Sequence, residues 1–238
     1  MPFGQTGAAF VLVLTAIGIV LLSKISAWYK RELEKEKLSK TKRTLISSLP
    51  PLTKKQVGVA IGLLMLLIFA RSFYVTNMTS FYVFYLMEEY ALTLQHSQLL
   101  IFMFMACGVV GTFFGGPLSD RIGRKNVILL SVVVPIPLCL LLPFVPLWAV
   151  VLLLIFIGTL IMISFSVTVV YAQELVPSKI GTMAGLTVGF AFGMGGIGGV
   201  VIGSLMDSIG IQQTMIALSL LTLVMLVAIF LPKDNVAA

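Results

Sequence analysis

The chain has 238 residues, of which 59% are hydrophobic and 11% are charged, and its mean hydropathy is +1.10. Soluble domains are about 45–50% apolar and about 25% charged, so this composition excludes a soluble protein. The net charge of +7 does not indicate nucleic-acid binding, because the cations flank apolar runs, as in membrane proteins with positive cytoplasmic loops.

The sequence contains little material for catalysis or for metal binding. Both cysteines, Cys107 and Cys139, lie within apolar runs, and the single histidine, His96, lies between two such runs. Their spacing matches neither a disulfide framework nor a metal site. No clustered His, Asp or Cys indicates a membrane enzyme. We therefore expect no enzyme activity, no catalytic residue, no metal and no cofactor.

The first apolar run covers residues 4–23, about the twenty residues that a transmembrane helix needs. No basic residue precedes this run and the cations begin at Lys24, which indicates that the N-terminus lies outside. Residues 24–55 are rich in Lys and Arg and predict a cytoplasmic basic linker. The linker is either a solvated connection between two membrane bundles or a patch that binds lipid.

Six more apolar runs follow, at residues 57–86, 97–119, 126–145, 147–173, 182–206 and 211–231. If the connections alternate sides, all Lys and Arg outside the spans fall on the cytoplasmic side. The sequence thus predicts an all-α integral membrane protein with seven transmembrane helices and a cytoplasmic C-terminus. We divide it into a helix (residues 1–23), the linker (24–55), a six-helix bundle (56–232) and a cytoplasmic tail (233–238).

A charged stretch, GGPLSDRIGRKN, separates two of these runs at residues 115–126. Asp120 is expected to accept backbone N–H groups at the start of the next helix, near Asn126. A charged cluster at a moving interface can hold one conformation and release another, so we interpret the stretch as a conformational latch. Its members are Gly116, Asp120, Arg121, Gly123, Arg124 and Lys125. Glu174 either pairs with these cations or only occupies a solvated helix end.

Residues 116–125, GPLSDRIGRK, resemble the G-x-L-A-D-R-x-G-R-(R/K) signature of the major facilitator superfamily, with Ser119 as the departure. The strings IFARSFYVTNMTSFYVFYLMEEY, VYAQELVP and GFAFGMGGIGG resemble the fosmidomycin-resistance efflux transporters of that superfamily. The resemblance covers nearly the whole chain. It implies the last helix of an N-terminal half, the central linker, and a complete C-terminal half of a bacterial inner-membrane transporter.

The resemblance also implies a function, namely proton-coupled efflux of a small, anionic, fosmidomycin-like drug by alternating access. The energy source would be the proton gradient. The expected partners are the lipid bilayer, the small-molecule substrate and the missing N-terminal half, in the same or another chain. Two alternatives remain open beside a truncated exporter: a half-transporter that assembles with itself, and an inactive membrane fragment.

Arg71 lies deep within a predicted span, where a cation usually faces a cavity or a partner. Its guanidinium matches phosphonate oxygens as a two-pronged donor. Helical spacing places Arg71, Tyr74, Met78, Tyr82 and Tyr85 on one face. That face either lines a substrate cavity or packs against other helices while the arginine extends toward water.

Ser164, Thr168 and Tyr171 share a face of another predicted span, and either line the cavity or form hydrogen bonds between helices. No acid or histidine lies at mid-membrane depth, so a proton-coupling residue is not identified. Two rows of glycines, spaced for close helix packing, occupy the span 182–206. They are Gly185, Gly189 and Gly193 on one face and Gly195, Gly199 and Gly203 on another.

Overall fold

The computed structural model describes residues 18–21, 23–25 and 53–232. Most of the predicted first span and linker, and the predicted tail at 233–238, lie outside the described residues. The chain divides into two compact units, Met1–Ile46 and Ser47–Ala238. In the first unit the described residues are helical.

The second unit contains six helices that are long and apolar enough to cross a membrane, and no strand is present among its described residues. The predicted all-α membrane class is confirmed, and each of the six predicted runs of the bundle corresponds to one of these helices. They are α1 (Lys55–Glu89), α2 (Leu94–Ile122), α3 (Arg124–Phe144), α4 (Leu147–Leu175), α5 (Pro177–Ile209) and α6 (Ile211–Phe230).

The first helix is regular at its start and irregular in its middle. Thr53 and Gln56 form a capping box, in which each side chain hydrogen-bonds to the backbone N–H of the other residue. A π turn at Asn77–Phe81 then interrupts the α-helix. A π turn contains one extra residue, so the side chains that follow it are rotated around the helix axis relative to a regular helix.

Glycines allow α2 and α4 to pack with their backbones in contact. A methyl group added at Gly158 of α4 would lie 2.6 Å from the carbonyl oxygen of Phe104 in α2. One added at Gly111 of α2 would overlap the carbonyl oxygen of Thr159 in α4. Small residues at such positions let membrane helices approach closely, and this pair of helices therefore forms a rigid part of the bundle.

The bundle contains an internal repeat. Seven residues of the segment 108–123 recur in the same order and spacing in the segment 195–210. The pairs are Gly108 and Gly195, Gly111 and Gly198, Gly116 and Gly203, Leu118 and Leu205, Asp120 and Asp207, Ile122 and Ile209, and Gly123 and Gly210. One repeated pair contacts equivalent neighbours, because Gly111 of α2 faces α4 and Gly198 of α5 faces Phe73 of α1.

The two repeated segments also end in the same backbone conformation. Gly123 has φ 90° and Gly210 has φ 88°, a region that favours glycine. Each donates its N–H to a carbonyl four residues earlier, at 3.0 Å in both cases. The helices α1–α3 and α4–α6 thus form two repeats. Because each repeat has three membrane-crossing helices, the second enters the membrane from the opposite side, as in many transporters.

Candidate functional site

A cavity of about 470 Å³, called the main cavity below, lies between α1, α4 and α5. Its volume is within the range of about 300–1,000 Å³ that is usual for ligand sites. Helix α1 contributes small polar side chains, whereas α4 and α5 contribute mainly apolar ones. The lining residues are Arg71, Ser72, Val75, Thr76, Thr79, Ser80, Met162, Phe165, Ala191, Phe192, Gly195 and Gly196.

Arg71 provides the charge of the main cavity, and it is only 6% exposed. Its Nε donates a hydrogen bond to the carbonyl oxygen of Ile161 at 3.2 Å, and its Nη2 lies 3.6 Å from the sulfur of Met162. The guanidinium also lies over the Phe165 ring, 4.8 Å from its centroid. These contacts are all with neutral groups on α4, and within residues 53–232 no carboxylate forms an ion pair with Arg71.

The five residues predicted to share one face of α1 do not all line the same surface. Only Arg71 reaches the main cavity. Tyr74, Met78, Tyr82 and Tyr85 are each 2% exposed or less and belong to the core. The Tyr85 hydroxyl donates to the Pro143 carbonyl at 3.0 Å, so this side of α1 faces α3. The π turn rotates the two later tyrosines further from the cavity.

The sequence interpretation missed the hydroxyl residues that line the cavity from α1. Thr76, Thr79 and Ser80 lie on the same side of the helix as Arg71, around the π turn. Thr76 donates through Oγ1 to the carbonyl oxygen of Gly195 in α5, at 3.2 Å. Polar side chains clustered around a buried cation were the available signal in the sequence.

Ser164, Thr168 and Tyr171 of α4 have three different environments. Ser164 donates to the carbonyl of Ile161 in its own helix, and Tyr171 donates to the Pro232 carbonyl at 2.8 Å. Thr168 is buried, and its Oγ1 has no hydrogen-bond partner among the residues that the structure describes. It lines a void of about 10 Å³ next to Arg71, called the small void below. The three side chains are not brought together on the main cavity.

The charged junction, residues 116–125, is more helical than the sequence suggested. Helix α2 continues through Asp120 and Arg121 to Ile122, and Gly123 alone separates it from α3. The expectation that Asp120 caps the next helix was wrong, because Asp120 lies within the last turn of α2 and α3 begins with no side-chain cap. A single glycine with positive φ is enough to reverse the chain here.

The charged junction is connected to two other helices. Arg124 forms an ion pair with Glu174 at the end of α4, and its Nη2 lies 3.5 Å from Asp120. Both Arg124 and Glu174 are less than 20% exposed, whereas Asp120 is 70% exposed. Lys125 donates to the carbonyl oxygens of Ile229, at 3.0 Å, and Leu231 at the end of α6. Charge on the junction therefore holds the ends of α2, α3, α4 and α6 together.

The two predicted glycine rows of α5 differ in their surroundings. One row faces α1, since methyl groups added at Gly195, Gly199 and Gly203 would lie 3.1–4.0 Å from Thr76 or Phe81. In the other row, nothing described lies within 4 Å of a methyl group added at Gly185, Gly189 or Gly193, all of which are exposed. The glycines at 108, 111 and 158 contact a neighbouring helix more closely than either row, and they were not predicted. The sequence did contain a signal, because Gly111 and Gly115 have the G-x-x-x-G spacing of packed helices.

Within the part of the chain that the structure describes, no group of three His, Cys, Asp or Glu side chains could hold a metal ion. The arrangement instead combines a buried cation, neutral hydrogen-bonding groups and an enclosed volume between helices. These features suit the reversible binding of an anion.

Comparisons with a family profile and with individual proteins indicate the same family. A sequence profile of the Major Facilitator Superfamily matches residues 3–197 and 64–238. The chain is 45% identical over 237 residues, 99% of its length, to an uncharacterized MFS-type transporter, YfnC, of Bacillus subtilis (strain 168). It is 39% identical over 234 residues, 98% of its length, to the fosmidomycin resistance protein of Escherichia coli (strain K12). Each alignment covers 57% of the relative, so the chain spans little more than half the length of these proteins.

Proposed function

Because the chain belongs to the Major Facilitator Superfamily, we propose that it forms the C-terminal bundle of an exporter of small anionic compounds in the bacterial inner membrane. A relative that is named a fosmidomycin resistance protein suggests a fosmidomycin-like phosphonate as the substrate. The exporter would work by alternating access and use the proton gradient. The distribution of Lys and Arg supports an outer N-terminus and a cytoplasmic C-terminus.

The observation that carries this proposal is the buried charge of Arg71 on the wall of the main cavity. A buried cation is costly unless an anion compensates its charge. Arginine has five N–H donors, and the described contacts of Arg71 are one backbone carbonyl, one sulfur and one ring face. Donors therefore remain for the oxygens of a phosphonate, which a guanidinium can bind with two parallel hydrogen bonds.

The other walls of the main cavity suit a small ligand with one charged end. Ser72, Thr79 and Ser80 offer neutral hydrogen-bond partners along the same wall as Arg71, while Phe165 and Phe192 provide apolar surface. Fixed polar groups that orient a ligand within a mostly apolar pocket are typical of small-molecule sites. This division predicts that the anionic group lies at α1 and the rest of the ligand lies toward α5.

We further propose that a second bundle, in the same polypeptide or in another chain, completes the cavity. Phe192 lines the cavity and yet is 73% exposed, and Val109 and Phe113 of α2 are 71% and 74% exposed. Large exposed apolar side chains, of which Phe192 lies on the cavity wall and the other two lie outside it, suit contact with protein or lipid rather than water. A second copy of this chain is the alternative partner. A chain without either partner would be an inactive fragment.

An immunoblot of the C-terminally tagged protein, expressed from its own locus, tests the nature of the partner. A band near 25.8 kDa plus the tag would indicate a separately made bundle, and cross-linking would then distinguish a second copy from another protein. A band nearer to twice that size would indicate that both bundles belong to one polypeptide. The proposal of a second bundle fails if the protein is small and cross-links to nothing.

Alternating access assigns a role to the charged junction. The ion pair between Arg124 and Glu174 joins the start of α3 to the end of α4, and Asp120 lies beside it at the end of α2. Transport by rocking of two bundles needs contacts that form in one state and open in the other. We propose that this cluster, with Arg121 exposed at its edge, is a conformational latch against the second bundle.

The function is tested by measuring fosmidomycin accumulation in a strain that lacks the gene and is complemented with variants at the native locus. The wild-type gene should lower accumulation, and Arg71→Met should not, because the variant keeps side-chain bulk but loses the charge. Arg71→Lys should give intermediate accumulation, since lysine keeps the charge but lacks the two parallel N–H donors of the guanidinium. The matched control is Lys179→Met, which removes an exposed cation and should export normally. Equal accumulation with and without the gene would overturn the proposed substrate.

A further inference from the structure

The small void adjoins the main cavity, because Arg71, Phe165 and Ala191 line both, so that the arginine borders two spaces. Its volume is about 10 Å³, close to the minimum that one water molecule requires. Three polar side chains contribute to its lining, Arg71 from α1, Thr168 from α4 and Thr187 from α5. The other five lining residues are apolar, but three polar side chains supply the two to four partners that a buried water needs.

The hydrogen-bonding groups at the small void are incompletely used. Thr168 is 3% exposed and its Oγ1 has no partner among the described residues. Thr187 is 1% exposed and donates its hydroxyl proton to the Met183 carbonyl at 2.9 Å, so its lone pairs can still accept. Leaving a buried hydroxyl unpaired costs free energy, which a bridging molecule would remove.

We infer that the small void binds one water molecule, held by Thr168, Thr187 and Arg71. The water accepts an N–H of the guanidinium and donates to the two threonine oxygens, which gives the three hydrogen bonds that are typical of buried water. The water links α1, α4 and α5 at one point.

This water assigns Thr168 a role as a positioning residue, although it does not line the main cavity. The guanidinium is fixed on α4 by Ile161 and at the small void by the water, and its other N–H donors stay available to the main cavity that Arg71 also lines. A guanidinium that is already held in position loses less conformational freedom when it binds an anion. This role in binding rests on the proposed function, whereas the water site does not.

The water site is tested by the melting temperatures of Thr168 variants, measured on the purified full chain in lipid nanodiscs. The direction of the change is what decides. If the water is present, Thr168→Val should lower the melting temperature by about 3–6 °C, because the water loses a partner. Thr168→Ser should stay within about 2 °C of wild type, since it retains the hydroxyl. If the void is dry, Thr168→Val removes an unpaired buried hydroxyl, and an unchanged or raised melting temperature would overturn the site.

Two further comparisons make the stability test specific. Thr168→Val and Thr187→Val share one water, so the double variant should lose less than the two single variants added together, and additive shifts would overturn the shared water. Thr159→Val is the matched control on the same helix, because that hydroxyl donates only to the Ile155 carbonyl of its own turn. It should cost less than Thr168→Val.

Fosmidomycin binding tests the positioning role. Thr168→Val should raise the dissociation constant about tenfold, and Thr168→Ser should restore it. If Arg71→Met weakens binding while Thr168→Val binds like wild type, the positioning role is overturned and the proposed function stands. If Arg71→Met binds like wild type, the proposed function fails, and the melting temperatures still decide whether the water is present.

Discussion

The contact between α2 and α4 at Gly158 allows a quantitative test of the packing. An alanine methyl group there would lie 2.6 Å from the Phe104 carbonyl oxygen and 3.0 Å from a carbon of its ring, whereas ordinary contacts begin at 3.4 Å. The helices would have to separate by nearly 1 Å, and such overpacking costs about 1–3 kcal/mol. The gain in helix propensity from glycine to alanine, about 1 kcal/mol, acts in the opposite direction.

Gly189→Ala in α5 provides the matched control, since nothing described lies within 4 Å of the added methyl group. Both variants gain the same propensity, so the difference in their free energies of unfolding isolates the overpacking of about 1–3 kcal/mol. Thermal unfolding of the purified chain, followed by circular dichroism in one detergent, should place Gly158→Ala below Gly189→Ala by roughly 2–4 °C per kcal/mol. Equal melting temperatures would refute the close contact between α2 and α4.

Three other variants follow from single contacts. Tyr85→Phe should lose about 1 kcal/mol of stability, because it leaves a buried backbone carbonyl unpaired. Tyr82→Phe should be neutral or stabilising, since that hydroxyl has no described partner, and neither change should affect fosmidomycin binding. A double-mutant cycle of Arg124→Gln and Glu174→Gln should give a coupling of at least about 1 kcal/mol in thermal unfolding, because both groups are largely buried. Gly210→Ala should destabilise by about 1 kcal/mol or more in the same assay, because φ is positive there.

The spans of the bundle could be predicted from the sequence because hydrophobic length alone determines them. Each of the six apolar runs of the bundle became one helix. The helix ends could not be predicted as well, because charged residues such as Asp120 and Arg121 can continue a helix beyond the apolar run. The charged junction was therefore expected to separate the two helices over several residues, whereas one glycine makes the turn.

The side of α1 that lines the cavity could not be predicted from helical periodicity. A spacing rule assigns Arg71 and the tyrosines to one face, but a helix buried on several sides has no single polar face. The π turn at Asn77–Phe81 also breaks the regular spacing, and no residue pattern in the sequence indicated it. The neutral partners of Arg71 on α4 depend on helix packing and needed the structure.

The internal repeat is the feature that the sequence contained and the sequence interpretation overlooked. The charged signature with its cations occurs once in the chain. Its counterpart around Asp207 and Gly210 lacks the cations, which hides the similarity. Glycine, leucine and isoleucine at identical spacing nonetheless preserve the same turn in both places. A comparison of the sequence with itself would have predicted the two three-helix repeats.

Fosmidomycin binding to the purified protein, with the second bundle that completes the cavity present, tests the central claim most directly, because it requires neither a membrane gradient nor cellular export. Calorimetric titration should show saturable binding to wild type, a loss of at least about tenfold for Arg71→Met, and an intermediate affinity for Arg71→Lys. Circular dichroism of each variant confirms that it is folded. Equal affinity of wild type and a folded Arg71→Met variant would contradict the claim that Arg71 binds the anion in the main cavity.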